Sequence, residues 1–176
     1  MCHCQAVKRI LRYLRFTLEF GLWFLASSSL SLCGYSNADY ARCRVERKST
    51  SGTYQFLGSS LVSRSSRKQS SVAQSTIEAE NVAIASCCSQ LLWMIATVRD
   101  FGLEFRRMPL LCDSTSAISV AKNPILHSKT KHIEVRFHFL RDHYEKGDID
   151  LHHVDTQNQL ADIFTKPLDQ AQFARL

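Results

Sequence analysis

The chain has 176 residues, of which 45% are hydrophobic and 22% charged, with a formal charge of +6. That length fits one domain with an appended segment rather than two full domains, and the composition excludes a globally disordered chain. The basic balance points towards a polyanionic partner but does not by itself single out nucleic acid.

Gln5 to Phe16 is predicted to be a short helix. Val7, Ile10, Leu11 and Leu14 fall at helical spacing, while Lys8, Arg9, Arg12 and Arg15 lie largely off that stripe. The apolar run from Phe16 to Cys33 follows this basic stretch and imitates the two regions of a secretory signal. Glu19 interrupts the run and the serines from Ser27 to Ser31 dilute its end. Secretion is therefore not expected, and neither is a membrane span, which needs about 20 apolar residues.

Leu30 to Asp39, Gly52 to Leu57 and Ser60 to Arg67 predict three consecutive strands. Gly58-Ser59-Ser60 marks a hairpin between the last two, and Arg42 to Ser51 reads as a polar loop. Ser75 followed by Glu78 is a capping box that opens a long helix ending near Gly102, with Ile77, Ile84, Cys88, Leu91, Ile95 and Val98 along one face. Pro109 to Asp113 is a short buried strand. Ser114 caps the next helix, which runs through Ala121 and is stopped by Asn123-Pro124. A helix over Ile133–Lys146, a strand over Ile149–Val154 and a short helix over Gln159–Thr165 complete the order. Three strands in a meander, then alternating strands and helices, predict an α/β fold with one mixed five-stranded sheet flanked by helices.

The seven cysteines contain no Cys-x-x-Cys pair, so structural zinc is not expected, and their scatter suits a reducing compartment, cytoplasmic or nuclear. No Gly-x-Ser-x-Gly elbow, phosphate-binding loop or His-Glu-x-x-His pattern is present. His132, His138, His143, His152 and His153 read mostly as surface residues. Basic residues cluster at Lys8–Arg15, Arg42–Lys48, Arg64–Lys68 and Lys129–Lys131, with Tyr35, Tyr40, Tyr54 and Trp93 as aromatic surface. This suits contacts to a phosphate backbone without base readout, although each cluster alone equally suits a solvated face.

Hydrolysis of a phosphodiester with two divalent metals needs carboxylates converging from several elements, at the carboxyl ends of central strands in an open sheet. Asp113 sits at such an end. Its alternative role, capping the following helix, can be filled by Ser114. Glu78 is explained by the capping box, but Glu80 is not. It lies on the edge of the core-facing stripe, either turned out to solvent or held by a partner or metal. Asp162, between Leu160 and Ile163, taken alone reads as a surface aspartate.

Several of these segments occur together, in order, in one family. Ala6 to Leu14 resembles the helix just before the ribonuclease H region of Ty1/copia-type retrotransposon polyproteins. Gly34-Tyr35-Ser36-Asn37-Ala38-Asp39-Tyr40-Ala41 resembles that family's first strand, normally G-Y-S-D-A-D-W/Y-A-G. Arg47 to Gly52, Ser75 to Glu80, Leu111 to Ser114, His127 to Ile133 and Gln159 to Leu168 resemble its further signatures.

The resemblance implies a ribonuclease H-like domain over residues 29–168. It would be preceded by a remnant of the reverse transcriptase connection (1–28) and followed by a truncated C-terminal tail (169–176). It implies an endonuclease that degrades the RNA strand of RNA–DNA hybrids using Mg2+ or Mn2+, with an upstream reverse transcriptase domain as partner and no membrane. The four metal-binding and catalytic positions of the family fall on Asn37, Glu80, Asp113 and Asp162. Asn37 replaces an aspartate and loses its charge, Arg42 replaces a usual glycine nearby, and Phe16 and Asn81 also depart from the pattern. Asp39 shares a strand face with Asn37 but lies roughly 6.6–6.8 Å along the strand, so it is not expected to take over. Weakened activity is expected. A catalytically dead nucleic-acid-binding module and a non-functional transposon remnant are the alternatives.

Overall fold

The helix that follows Ser75 is the spine of the fold. In the computed structural model, which describes residues 3–22, 24, 30–123 and 134–176, it runs over Thr76–Arg99 (α2). Its Glu78-to-Ala85 stretch is buried throughout. The Ser75 hydroxyl accepts the Glu78 N–H at 3.2 Å, while Glu78 reaches back to the N–H of Gln74 at 2.8 Å. The box therefore closes one residue further upstream than its usual form. By length and composition α2 could cross a membrane, but its apolar character follows from enclosure between the sheet and two further helices.

Around α2 lie α1 (His3–Phe16), β1 (Leu32–Asp39), β2 (Thr50–Leu57), β3 (Ser60–Lys68), β4 (Met108–Cys112), α3 (Thr115–Lys122), α4 (Glu134–Glu145), β5 (Ile149–His153) and α5 (Gln170–Arg175). The strands form one sheet in the order β3-β2-β1-β4-β5. β1, β2 and β3 pair antiparallel, whereas β1–β4 and β4–β5 are parallel. This is the mixed five-stranded sheet expected from the sequence. Ile84, Cys88, Leu91 and Ile95 of α2 pack with Leu32, Leu110, Leu140, Ile149 and Leu151 into the main core. Gly34 lets α2 come close to β1, because a Cβ there would stand 2.7 Å from Cys87 Sγ.

Three differences from the sequence pattern have local causes. β2 begins at Thr50 because Thr50 and Ser51 pair with Asp39 and Ala38, so ladder bonds override their loop-like composition. The short helix expected before Pro167 is a 3-10 turn, Leu160–Phe164, with Ala161 and Asp162 buried against the sheet. Residues 169–176, set apart as a tail, carry α5, whose Phe173 meets Tyr13 and Phe20 at ring-centroid distances of 5.8 and 5.9 Å. Those aromatic contacts attach α1, which buries none of its own residues. The 127–133 signature, with Lys129–Lys131 and His132, lies outside the described residues.

Candidate active site

Parallel pairing of β1 with β4 decides where the acids meet. Tyr35 and Leu111 are register partners, so Asn37 and Asp113 each stand two residues further on, at the same carboxyl edge of the sheet. Glu80 enters from the first turns of α2. Its Oε1 accepts the Ala38 N–H at 3.1 Å, and Cys112 Sγ lies 3.7 Å from its Oε2. Asp162 arrives on the 3-10 turn. Glu80, Asp113 and the Cys112 thiol bring ligand atoms within 4.8 Å of one another.

Burial separates these groups. Glu80 is only 8% exposed and Asp162 not at all, which resolves the open choice for Glu80 and corrects the surface assignment of Asp162. Burial, and after it the charge of Asp113, pushes the Glu80 carboxyl up to about 8, against the opposing pull of the Ala38 N–H. Burial and then the Glu80 charge hold the Cys112 thiol protonated far above its ordinary range, so it offers a weak S–H donor rather than a thiolate. Asp113 is half-buried and accepts the Thr156 hydroxyl at 3.1 Å. It is not the helix cap, because Ser114 accepts the Ala117 N–H at 3.2 Å.

Asn37 is 4% exposed, and its neighbours fix the orientation of its amide. Thr165 donates its hydroxyl hydrogen to the Asp162 carbonyl at 3.1 Å, leaving its oxygen to accept. The Asp162 carboxylate also only accepts. The Asn37 Nδ2 therefore faces both, 2.5 Å from Asp162 Oδ1 and 2.8 Å from Thr165 Oγ1. Lys166 Nζ stands 2.8 Å from the other oxygen, Asp162 Oδ2. Burial raises the Asp162 pKa and Lys166 opposes the rise. Asp39 is turned to Arg42, whose Nε is 3.5 Å from Asp39 Oδ2. Arg42 thus pairs with a neighbouring acid.

Gln159, Thr165, Lys166 and Thr156 escaped assignment from the sequence. All but Thr156 lie inside the Gln159-to-Leu168 signature, in which only Asp162 carried a role. Tyr54, expected on the surface, is buried, with its ring centroid 5.4 Å from that of Phe164. Among the histidines, His143 pairs with Asp148 at 2.7 Å rather than standing alone in solvent.

The chain is 39% identical over 172 residues to the retrovirus-related Pol polyprotein from transposon RE1 of Arabidopsis thaliana, covering 97% of this chain and 12% of the relative. It is 36% identical over 171 residues to the corresponding polyprotein from transposon TNT 1-94 of Nicotiana tabacum, covering 97% of this chain and 13% of that relative. The chain belongs to the Ty1/copia-type retrotransposon Pol family.

It is the ribonuclease H-like domain of such a Pol, and it spans about an eighth of the length of these relatives. No family model matches it. Among solved structures it resembles LC11-RNase H1 isolated from compost, at TM-score 0.59 and 13% identity over 78% of this chain and 94% of that one. The same enzyme in complex with an RNA/DNA hybrid superposes at TM-score 0.55 and 12% identity, over 77% and 94% of the two chains. At these identities the likeness establishes the fold, a ribonuclease H-like arrangement of five strands with flanking helices.

Proposed function

We propose that this Pol domain engages RNA–DNA hybrid and hydrolyses its RNA strand slowly, with Glu80, Asp113, Asp162 and the degenerate Asn37 as its four site positions. The observation that carries this reading is the convergence of Glu80, Asp113 and Asp162, from a helix, a strand end and a 3-10 turn, on the edge occupied by Asn37. A buried carboxylate whose proton affinity is raised by neighbouring acids, as that of Glu80 is by Asp113 and Asp162, is poised for a hard cation. Glu80 and Asp113 fit one divalent ion, magnesium or manganese, which when bound would supply Lewis acidity for phosphodiester hydrolysis. The place between Asn37 and Asp162 does not fit a second. An amide N–H closes it at 2.5 Å, and Lys166 takes the remaining Asp162 oxygen.

The other residues prepare the site. The Ala38 N–H orients Glu80, and Thr156 orients Asp113. Exposed Arg64 and Arg67 on β3 suit phosphate contacts, whereas Glu46 already pairs with Lys48 and Lys68. The bare apolar stripe of α1, formed by Val7, Ile10, Leu11 and Leu14, suits packing against an upstream reverse transcriptase domain of a longer polyprotein. The buried thiols Cys87, Cys88 and Cys112 suit a reducing compartment, cytoplasmic or nuclear.

A second reading, hybrid binding without cleavage, is favoured by the direct Asn37–Asp162 bond. The deciding assay is magnesium-dependent cleavage of an RNA–DNA hybrid by this chain and by Asn37→Asp. Slow cleavage that rises with the aspartate supports the nuclease. Cleavage as fast as the Asn37→Asp variant overturns the impairment, and binding with no cleavage by either chain favours the second reading.

A further inference from the structure

We propose that Lys166 and Asn37 together replace a divalent cation at Asp162, so that this half of the acidic cluster is closed and stable without metal. The inference rests on the reading of the cluster as the nuclease site, but its test needs neither substrate nor turnover.

The charge balance at Asp162 is the starting point. A fully buried carboxylate needs a compensating charge or a full set of donors. Asp162 has the compensating charge: the Lys166 ammonium stands 2.8 Å from Oδ2, which accepts no hydrogen bond, while the Asn37 amide donates to Oδ1 at 2.5 Å. Lys166 is delivered by the turn itself, since its own N–H donates to the Asp162 carbonyl at 3.1 Å. The pair is therefore local and preformed. The Lys166 side chain, 37% exposed, also lines a cavity of about 460 Å3 beside Tyr13, Phe16, Phe20 and Phe173. Its stem thus has an apolar seat while its head faces the acid.

Residue 37 completes the closure. An aspartate there would set a second carboxylate against Asp162 Oδ1, a contact that needs a cation or a shared proton between the two. Asparagine turns the same contact into a donor–acceptor bond. The loss of charge at position 37 thus has a structural consequence beyond weaker metal affinity. It lets the turn dock directly on β1.

Thermal unfolding of the whole chain in EDTA and in excess magnesium tests this. The natural chain should gain from excess magnesium only what an ion at Glu80 and Asp113 supplies, and clearly less than Asn37→Asp gains. Asn37→Asp should be less stable in EDTA by about 5 °C or more and should regain stability with magnesium. Lys166→Met should be destabilised in EDTA. The same change in an Asp162→Asn background, where residue 162 carries no charge, should cost far less, which keeps the test readable if the single variant does not fold. A natural chain stabilised by magnesium as strongly as Asn37→Asp would overturn the proposal. So would an equal cost of Lys166→Met with and without the Asp162 charge. Failure of hybrid cleavage leaves these outcomes unaffected, so the two readings fail separately.

Discussion

Asn37 on β1 and Gly52 on β2 are register partners, and the missing side chain of Gly52 lets the Asp162 turn lie across them. A Cβ on Gly52 would stand 2.7 Å from both the Ala161 carbonyl oxygen and Thr165 Cγ2, and 3.1 Å from Phe164 Cβ. One of these obstacles is backbone, so the turn itself would have to lift. Gly52→Ala is expected to destabilise the fold by about 1–3 kcal/mol, as overpacking does. It should also lengthen the Asn37–Asp162 contact. Denaturant unfolding measures the first effect and a structure of the variant the second. An unchanged stability would mean that the turn does not depend on this close approach.

Glu80 makes stability depend on pH. Its carboxyl is raised from 4.5 to about 8 in the folded chain, by burial first and by Asp113 second. Across that window the folded state binds more protons than the unfolded state, so this group's stabilising contribution is complete below the window and is lost as pH rises through it. The slope it adds is at most about 1.4 kcal/mol per pH unit. Glu80→Gln removes the titrating group and should flatten the stability profile between pH 5 and pH 8. Parallel profiles for the two chains would show that Glu80 does not titrate in that interval.

Gln159 ties the Asp162 turn to β1. It is fully buried. Its Nε2 donates to the Ser36 carbonyl at 3.0 Å and its Oε1 accepts the Ala161 N–H at 3.2 Å. Gln159→Leu keeps the volume but leaves both backbone groups without this partner, at a cost of about 1–3 kcal/mol. Hydrogen exchange should quicken at the Ala161 amide if the side chain holds it. Unaltered exchange there would assign the turn's order to packing alone.

The strands and α2 were legible in the sequence because local signals bound them. Gly58-Ser59-Ser60 marks the hairpin between β2 and β3, and Ser75 with Glu78 marks the start of α2. Asp113 was legible as well, since an acid after Leu110-Leu111-Cys112 ends a buried strand. Asp162 was not. Its burial comes from contacts with Asn37, 125 positions away in sequence, and no local pattern carries that information. Resemblance to the family marked Asp162 as a site position, but only the fold shows its partners. Lys166 was hidden for a related reason: a lysine before a proline reads as surface until the turn brings its head back onto residue 162. Gly52 looked like a strand-opening glycine, and its role appears only when Ala161 and Thr165 come across it.

Asp39 is a further acid near the cluster, and its surroundings argue against a role there. Its Oδ2 faces the Arg42 guanidinium at 3.5 Å, while its charge adds to the upward pressure on the Asp162 proton affinity. A carboxylate already facing a cation has less to offer a metal, whereas Glu80 and Asp113 bring ligand atoms within 4.8 Å of one another. The comparison is best made in the Asn37→Asp background, where cleavage is expected to be measurable. There Glu80→Gln or Asp113→Asn should slow hybrid cleavage at least roughly tenfold, equivalent to about 1.4 kcal/mol of barrier. Asp39→Asn should stay within about threefold of the parent rate. A loss at Asp39 as large as at Glu80 would place Asp39 in the metal-binding set and reassign the carboxyl end of β1.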